Sequence, residues 1–172
     1  MMKIKCAAFI LYSITLCLHA KAQAEGAPQV NLEVAAESVA HVVVYYHDAP
    51  VAGNNINFPL PIHGLSQHFE RVSDYFYVVG NVPQAEVFFS DSSFALYATS
   101  GSENKINLAG SFIFDNKSSG AQQPLRVPVL KNISEATSAS GFKVHFKSEF
   151  LAGNYSQDNY ANSFTLLVKP IL

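Results

Sequence analysis

The sequence has two cysteines in 172 residues and no tryptophan. Both cysteines, Cys6 and Cys17, fall within an apolar N-terminal stretch. Beyond residue 24, therefore, a disulfide framework, a thiolate metal site and a cysteine nucleophile are all excluded. Charged side chains are also few, at 14%. No segment past the first apolar stretch keeps a helical period, and none approaches the roughly 20 apolar residues of a membrane-spanning helix. The motifs G-x-S-x-G, H-E-x-x-H, G-x-G-x-x-G and the phosphate-binding P-loop are missing. What is plentiful is period-two alternation and aromatic residues, with 13 Phe and 8 Tyr.

The first residues have the make-up of an export signal. Lys3 and Lys5 supply the positive start, and Ala7 to Leu18 form an apolar run interrupted only by Ser13 and Thr15. Ala20-Lys21-Ala22 and Ala22-Gln23-Ala24 frame two cleavage points, so residues 1–24 are assigned to the signal. An uncleaved anchor is the alternative. Leu16, ahead of Cys17, argues against a lipoprotein. Cleavage removes Lys3, Lys5 and Lys21 from the 11 basic residues and leaves 8 against 13 acidic ones, a net charge near −5. That balance speaks against a nucleic-acid or anionic-membrane partner. Asn-x-Ser/Thr triplets at Asn116, Asn132 and Asn154 would accept glycans in a eukaryotic secretory route, or arise by chance in an Asn- and Ser-rich chain.

The strand signals follow in order. Val30, Leu32, Val34 and Ala36 alternate with Asn31, Glu33 and Ala35. His41 to Tyr46 is β-branched and aromatic, and a loop marked by Pro50, Gly53, Asn54, Asn55, Pro59, Pro61 and Gly64 comes next. Tyr75–Val79, Glu86–Phe89 and Phe94–Ala98 are short strands. Lys105–Asp115 is a longer one, with a bulge expected at Gly110 and a polar loop from Asn116 to Gln123 closing it. Leu125, Val127 and Val129 alternate beside Pro128, which confines them to an edge. Ile133–Ser140 has the make-up of one helical turn or a loop. Phe142, Val144 and Phe146 alternate with Lys143, His145 and Lys147, and Ser163–Leu172 forms a last apolar strand. Eight or nine short strands with turns between them indicate one all-β sandwich domain, over residues 38–172.

Candidate chemistry is sparse. Gly64-Leu65-Ser66-Gln67-His68 lacks the second glycine of a nucleophile elbow. His63 and His68 have no metal-ligand spacing, His41 and His47 stand alone, and His145 is expected to point to solvent. Glu33, Glu37, Asp74, Glu86 and Asp91 form no short-range pair. No catalytic residue, cofactor or metal site is assigned, and the chain is not expected to be an enzyme. Consecutive aromatics such as Tyr45-Tyr46 and Tyr75-Phe76-Tyr77 must face opposite sides of a sheet. They either fill a core and shield its edges or form a carbohydrate- or protein-binding face.

The alternating N-terminal segment, the cysteine-free sandwich and the final strand preceded by Leu151-Ala152-Gly153-Asn154-Tyr155 together resemble a chaperone–usher fimbrial subunit. "LAGNY" is similar to the L-x-A-G-x-Y turn of many pilins. Ile106–Lys117 is similar to the middle strand and turn of cysteine-free subunits of the colonisation-factor (alpha) class. The chain departs from the pattern in ending on Ile171-Leu172 without an aromatic, and in the long insert Ser156–Asn162.

The resemblance implies an incomplete immunoglobulin-like β-sandwich completed by a donated N-terminal strand. Residues 25–37 would be the donor segment, inserting Val30, Leu32, Val34 and Ala36, with about 1.5–3 kcal/mol for each large side chain buried. The acceptor groove would involve Val42, Val44, Phe164, Leu166 and Val168. A periplasmic chaperone would hold the carboxylate of Leu172, and an outer-membrane usher would exchange its strand for that of another copy or a related pilin. The fibre would be exported through the periplasm to the cell surface, where it would support adhesion and meet a host receptor. Two alternatives stay open: an ordinary first strand of a closed sandwich, and an adhesin-type sandwich binding carbohydrate or host protein.

Overall fold

A computed structural model describes residues 39–172, apart from Ala52 and Asn54. The signal segment and the donor residues Val30, Leu32, Val34 and Ala36 lie outside the described residues. The described chain is an incomplete immunoglobulin-like β-sandwich. Its strands are β1 Val42–Tyr46, β2 Ala49–Pro50, β3 Glu70–Val72, β4 Phe76–Gly80, β5 Gln84–Phe89, β6 Phe94–Ala98, β7 Lys105–Phe114, β8 Lys117–Gly120, β9 Leu125–Pro128, β10 Phe142–Ser148, β11 Tyr160–Ala161 and β12 Leu166–Ile171.

Two antiparallel sheets result. The larger runs β11-β6-β7-β10-β4-β1-β2, with β3 on β10 and β8 on β7. The smaller runs β12-β5-β9. A parallel bridge from Val79 to Leu130, with Gly80 N–H donating to Leu130 O at 2.9 Å, joins the end of β9 to β4 and curls the sheets together on that side. Alternation delivers the core: Phe142, Val144 and Phe146 of β10 are buried while Lys143, His145 and Lys147 face outward. Phe112, Phe142, Ile106, Val78 and Val87 are the largest fully buried side chains. Around them Phe89, Phe94, Phe146 and Phe164 pack with ring centroids 5.1–5.7 Å apart, so aromatic volume does the filling in a thiol-free core.

Several sequence expectations are corrected. β7 carries no bulge opposite β10, because the register is unbroken from Leu108↔Ser148 to Phe114↔Phe142, with Gly110 opposite Phe146. Gly110 is instead a matter of space: a Cβ there would lie 2.7 Å from Phe94 Cε2 and 3.0 Å from Phe146 Cε1. A bulge does occur between β3 and β4, where Ser73, Asp74 and Tyr75 oppose only Lys143 and Val144. Buried Ser73 holds it, its N–H donating to Val144 O at 2.8 Å and its hydroxyl accepting from Val144 N–H at 2.9 Å.

The expected polar loop from Asn116 to Gln123 contains β8. Asp115 and Asn116 have φ of 49° and 59° and form a two-residue hairpin turn of the primed kind. His47 and Asp48, at φ 50° and 60°, do the same between β1 and β2, so Pro50 ends a hairpin. Pro128 does sit in an edge strand, since β9 pairs only with β5 in its sheet.

Candidate functional site

β12 and β1 pack beside each other with no hydrogen-bonded ladder between them among the described residues. The space there widens into a cavity of about 710 Å³. Its walls include Val44 of β1, Phe58 and Leu60 of the segment after β2, Phe164 just ahead of β12 and Leu166 at its start. Phe89 and Phe146 form part of its floor. Its apolar lining is continuous with the core, while Asn55, Asn57, Asn162, Ser163 and Thr165 give the groove a polar share of comparable size.

The backbone along one wall can be assigned from the ladder on its other side. Ser90 N–H donates to Thr165 O at 3.0 Å, and the register pairs Leu166 with Phe89 through Ile171 with Gln84. Antiparallel alternation then turns the peptide groups of Leu167, Lys169 and Ile171 toward β5. Those of Leu166, Val168 and Pro170 face the open edge, where no described strand receives them. Proline stands at a position whose missing N–H costs β12 none of its bonds to β5. Leu166 and Val168 therefore combine inward side chains with edge-facing peptide groups.

The other wall begins at β1. Val42 and Val44 pack on the core from the face they share with buried Tyr46. Val44 O already accepts from Val51 N–H at 2.9 Å. From there Ile56, Phe58 and Leu60 alternate inward against the core without belonging to any ladder. The sequence reading missed these three. Ile56-Asn57-Phe58-Pro59-Leu60 alternates plainly within a segment that its prolines mark as a loop. Proline removes strand hydrogen bonds but leaves the period-two placement of the side chains intact.

Of the five residues expected to form the groove, Val44, Phe164 and Leu166 line the cavity, while Val42 and Val168 pack on the core just beyond it. Leu172 is 98% exposed. The "LAGNY" segment forms a single 3-10 turn, Ala152–Asn154, and the Tyr155 hydroxyl accepts from Phe150 N–H at 2.9 Å. Ala152 N–H donates to Gln67 O at 2.8 Å, which ties this turn to the loop ahead of β3. Part of the insert, Tyr160–Ala161, is β11, hydrogen-bonded to β6 at the mouth of the groove.

His145 faces outward, as expected, and is partly covered there by its neighbours. Its Nε2 lies 3.0 Å from Glu70 Oε1, its Nδ1 lies 3.4 Å from Ser111 Oγ, and Lys147 Nζ approaches Glu70 Oε2 at 3.6 Å. The Ser66 hydroxyl donates to Glu70 at 2.5 Å. That hydrogen bond, opposed by partial burial and aided by His145 and Lys147, holds the Glu70 carboxyl below its usual range. Glu70, Ser111 and His145 line neither the groove nor the smaller cavity beside Tyr75. They tie β3, β7 and β10 across the solvent face of the sheet. Among the described residues, no group of three or more His, Cys, Asp and Glu is placed to hold a metal ion.

No family model matches the chain, and no curated protein matches it. Among solved structures, the chain is similar to one described as a chaperone–tip adhesin complex vital for synergistic activation of CFA/I fimbriae biogenesis. The TM-score is 0.52 at 12% identity, over 76% of this chain and 42% of that one. At that identity the likeness is one of fold. The chain thus spans less than half the length of the structure it matches.

Proposed function

We propose that this chain is a structural fimbrial subunit that polymerises by accepting, in the groove between β1 and β12, a strand from another copy. The observation that carries the reading is the union of two exposures at one place. A cavity of about 710 Å³, apolar on the side that joins the core, opens beside a strand edge whose Leu166 and Val168 peptide groups have no described partner. Each is a liability in isolation, because apolar surface and a free sheet edge both invite aggregation. An inserted strand resolves both, supplying alternate side chains to the cavity and peptide groups to the edge.

Residues 25–37 are the natural occupant. Val30, Leu32, Val34 and Ala36 present one apolar face at the same period that Leu166 and Val168 present across the groove. Likeness in fold to a chaperone–tip adhesin complex supports a chaperone partner, which in this reading first protects the groove before an usher exchanges its strand. Leu172, at the surface, is available for the chaperone to hold. The domain assignment that goes with this reading is a signal over residues 1–24, a donor over 25–37 and the sandwich from 38 onward. The subunit catalyses nothing and takes no cofactor.

The test is polymer formation by the mature chain with and without residues 25–37, followed on gels run without boiling. Heat-labile ladders that vanish on deletion are expected. A stable monomer in both cases would refute strand donation. A second reading, an adhesin-type sandwich, is favoured by one observation: Tyr45, Tyr75 and Tyr77 lie together on the solvent side of the larger sheet.

A further inference from the structure

Large apolar side chains are exposed together at one end of the sandwich. Leu65 is 93% exposed in the loop ahead of β3, and Ile62, bridged to Phe69 at the base of that loop, is 55% exposed. Phe150 and Leu151, at 54% and 47%, lie in the turn after β10. The two pieces are held side by side. Ala152 N–H donates to Gln67 O at 2.8 Å, and His68 Nδ1 lies 2.8 Å from Ser148 O. The loop is itself closed by His63 N–H donating to His68 O and Gln67 N–H to His63 O, both at 2.8 Å. Apolar side chains gathered on so well tied a base mark a contact with another protein.

The place of this patch relative to the groove follows from the strand registers. Val42 of β1 is opposite Gly80 and Ile171 of β12 is opposite Gln84, so the short link from β4 to β5 sets both at the same end. There β1 and β12 come together, with Val42 and Val168 packed on the core beyond the cavity. Phe58, Leu60 and Phe164 stand toward the other end, where the walls part. From Leu60 the chain runs through Ile62 directly into the Leu65 loop, so the patch borders the open end of the groove.

We propose that the patch of Ile62, Leu65, Phe150 and Leu151 receives the folded body of the second copy whose strand fills the groove, at that copy's Val39 end. This rests on strand donation by residues 25–37. Only Ser38 separates that segment from the described sandwich, so a donated strand carries its own sandwich immediately behind it. A folded domain cannot follow Glu37 through the end where β1 and β12 meet. It therefore stands at the open end, against the patch.

The donor's side is shaped to match. Asn81 Nδ2 donates to Val39 O and Asn81 Oδ1 accepts from His41 N–H, each at 2.7 Å. These two bonds pin the start of the described chain and aim the body at its acceptor. Val39 itself is 59% exposed and adds an apolar side chain to the face presented. The patch lies at one end of the sandwich and Val39 at the other, so the contact is heterologous, the kind that repeats into an open filament.

The test uses the mature chain, which has no cysteine beyond residue 24, so engineered thiols are the only ones present. Val39→Cys is combined in turn with Leu65→Cys, with Phe150→Cys and with Ser119→Cys, the last on exposed β8 opposite Phe112, part-way along the sandwich. Polymers are treated with a short bismaleimide and run on gels both unboiled and boiled. Ladders that survive boiling are expected for the Leu65 and Phe150 pairs and not for the Ser119 pair. Adding Leu65→Asp to the Phe150 pair should reduce the boiled ladder several-fold while the unboiled ladder and capture of a 25–37 peptide stay as in the wild type. Unboiled ladders without boiled ones for both patch pairs, or boiled ladders equally strong for the Ser119 pair, would overturn the docking contact and leave strand donation standing. Absence of unboiled ladders from every chain would overturn strand donation and this contact with it.

Discussion

Gly110→Ala tests whether the aromatic core and the groove are one packed unit. The added methyl would stand 2.7 and 2.8 Å from Phe94 Cε2 and Cδ2 and 3.0 Å from Phe146 Cε1. Phe94 is enclosed by neighbouring rings, whereas Phe146 can give only toward the groove whose floor it forms. Phe94 is 4% and Phe146 5% exposed, and their centroids lie 5.1 Å apart. Phe94 is further wedged against Phe89 and Phe164, each at 5.2 Å. Overpacking of this kind costs about 1–3 kcal/mol. The reduced freedom of the unfolded chain returns about 0.4–1 kcal/mol.

The net loss is roughly 0–2.6 kcal/mol against the wild type and about 1–3 kcal/mol against an alanine variant that is not overpacked, at about 2–4 °C in thermal midpoint per kcal/mol. Urea denaturation followed by tyrosine fluorescence reads it directly. Gly120→Ala is the control, because its Cβ would meet nothing within 4 Å. Since Phe146 and Phe164 also line the groove, Gly110→Ala should weaken capture of a 25–37 peptide as well. Equal stability of the two alanine variants would refute the reasoning.

Two further outcomes follow from the buried and the charged ties. Ser73→Ala leaves the Val144 N–H without its 2.9 Å hydroxyl partner inside the sheet, and should cost about 1–3 kcal/mol in the same urea assay. Glu70 has its pKa lowered, by the Ser66 hydrogen bond above all, so its contribution to stability is fully present above the ordinary glutamate value of about 4.3. It is lost as pH falls from there through the lower folded value. Glu70→Gln should therefore flatten the acid limb of a stability–pH curve below about 4.3 and leave the slope at neutral pH unchanged. An unaltered acid limb would show that the carboxylate is not stabilised in the folded chain.

The all-β class and most strands were legible because burial alternates wherever a strand covers the core, as at Phe142, Val144 and Phe146. Strands made of polar residues were not. β8, Lys-Ser-Ser-Gly, is fully exposed and exists because the Asp115-Asn116 turn folds it back on β7. The turn dipeptide was the only local signal. β3 was hidden for another reason. Its pairing with β10 is separated from that of β4 by the Ser73 bulge, and a bulge has no fixed sequence mark. Gly110 shows the limit from the other side: a glycine in a strand suggested a kink, whereas its cause lies in two rings from distant strands. The pairing of Val44 with Phe164 and Leu166 around one cavity was readable in outline from the apolar strands at either end of the described chain. The lining by Phe58 and Leu60 was masked by Pro59 and Pro61, and the Tyr75 cavity needed three-dimensional convergence that no spacing encodes.

The central claim, that the open edge of β12 awaits a strand, is tested most directly by amide hydrogen exchange on the chain lacking residues 25–37, with and without a synthetic 25–37 peptide. Without peptide, Leu167 and Lys169 should be protected by β5 while Leu166 and Val168 exchange rapidly. Saturating peptide should protect Leu166 and Val168 strongly and leave the ranking of Leu167 and Lys169 unaltered. Exchange at Leu166 and Val168 that the peptide does not change would contradict the account.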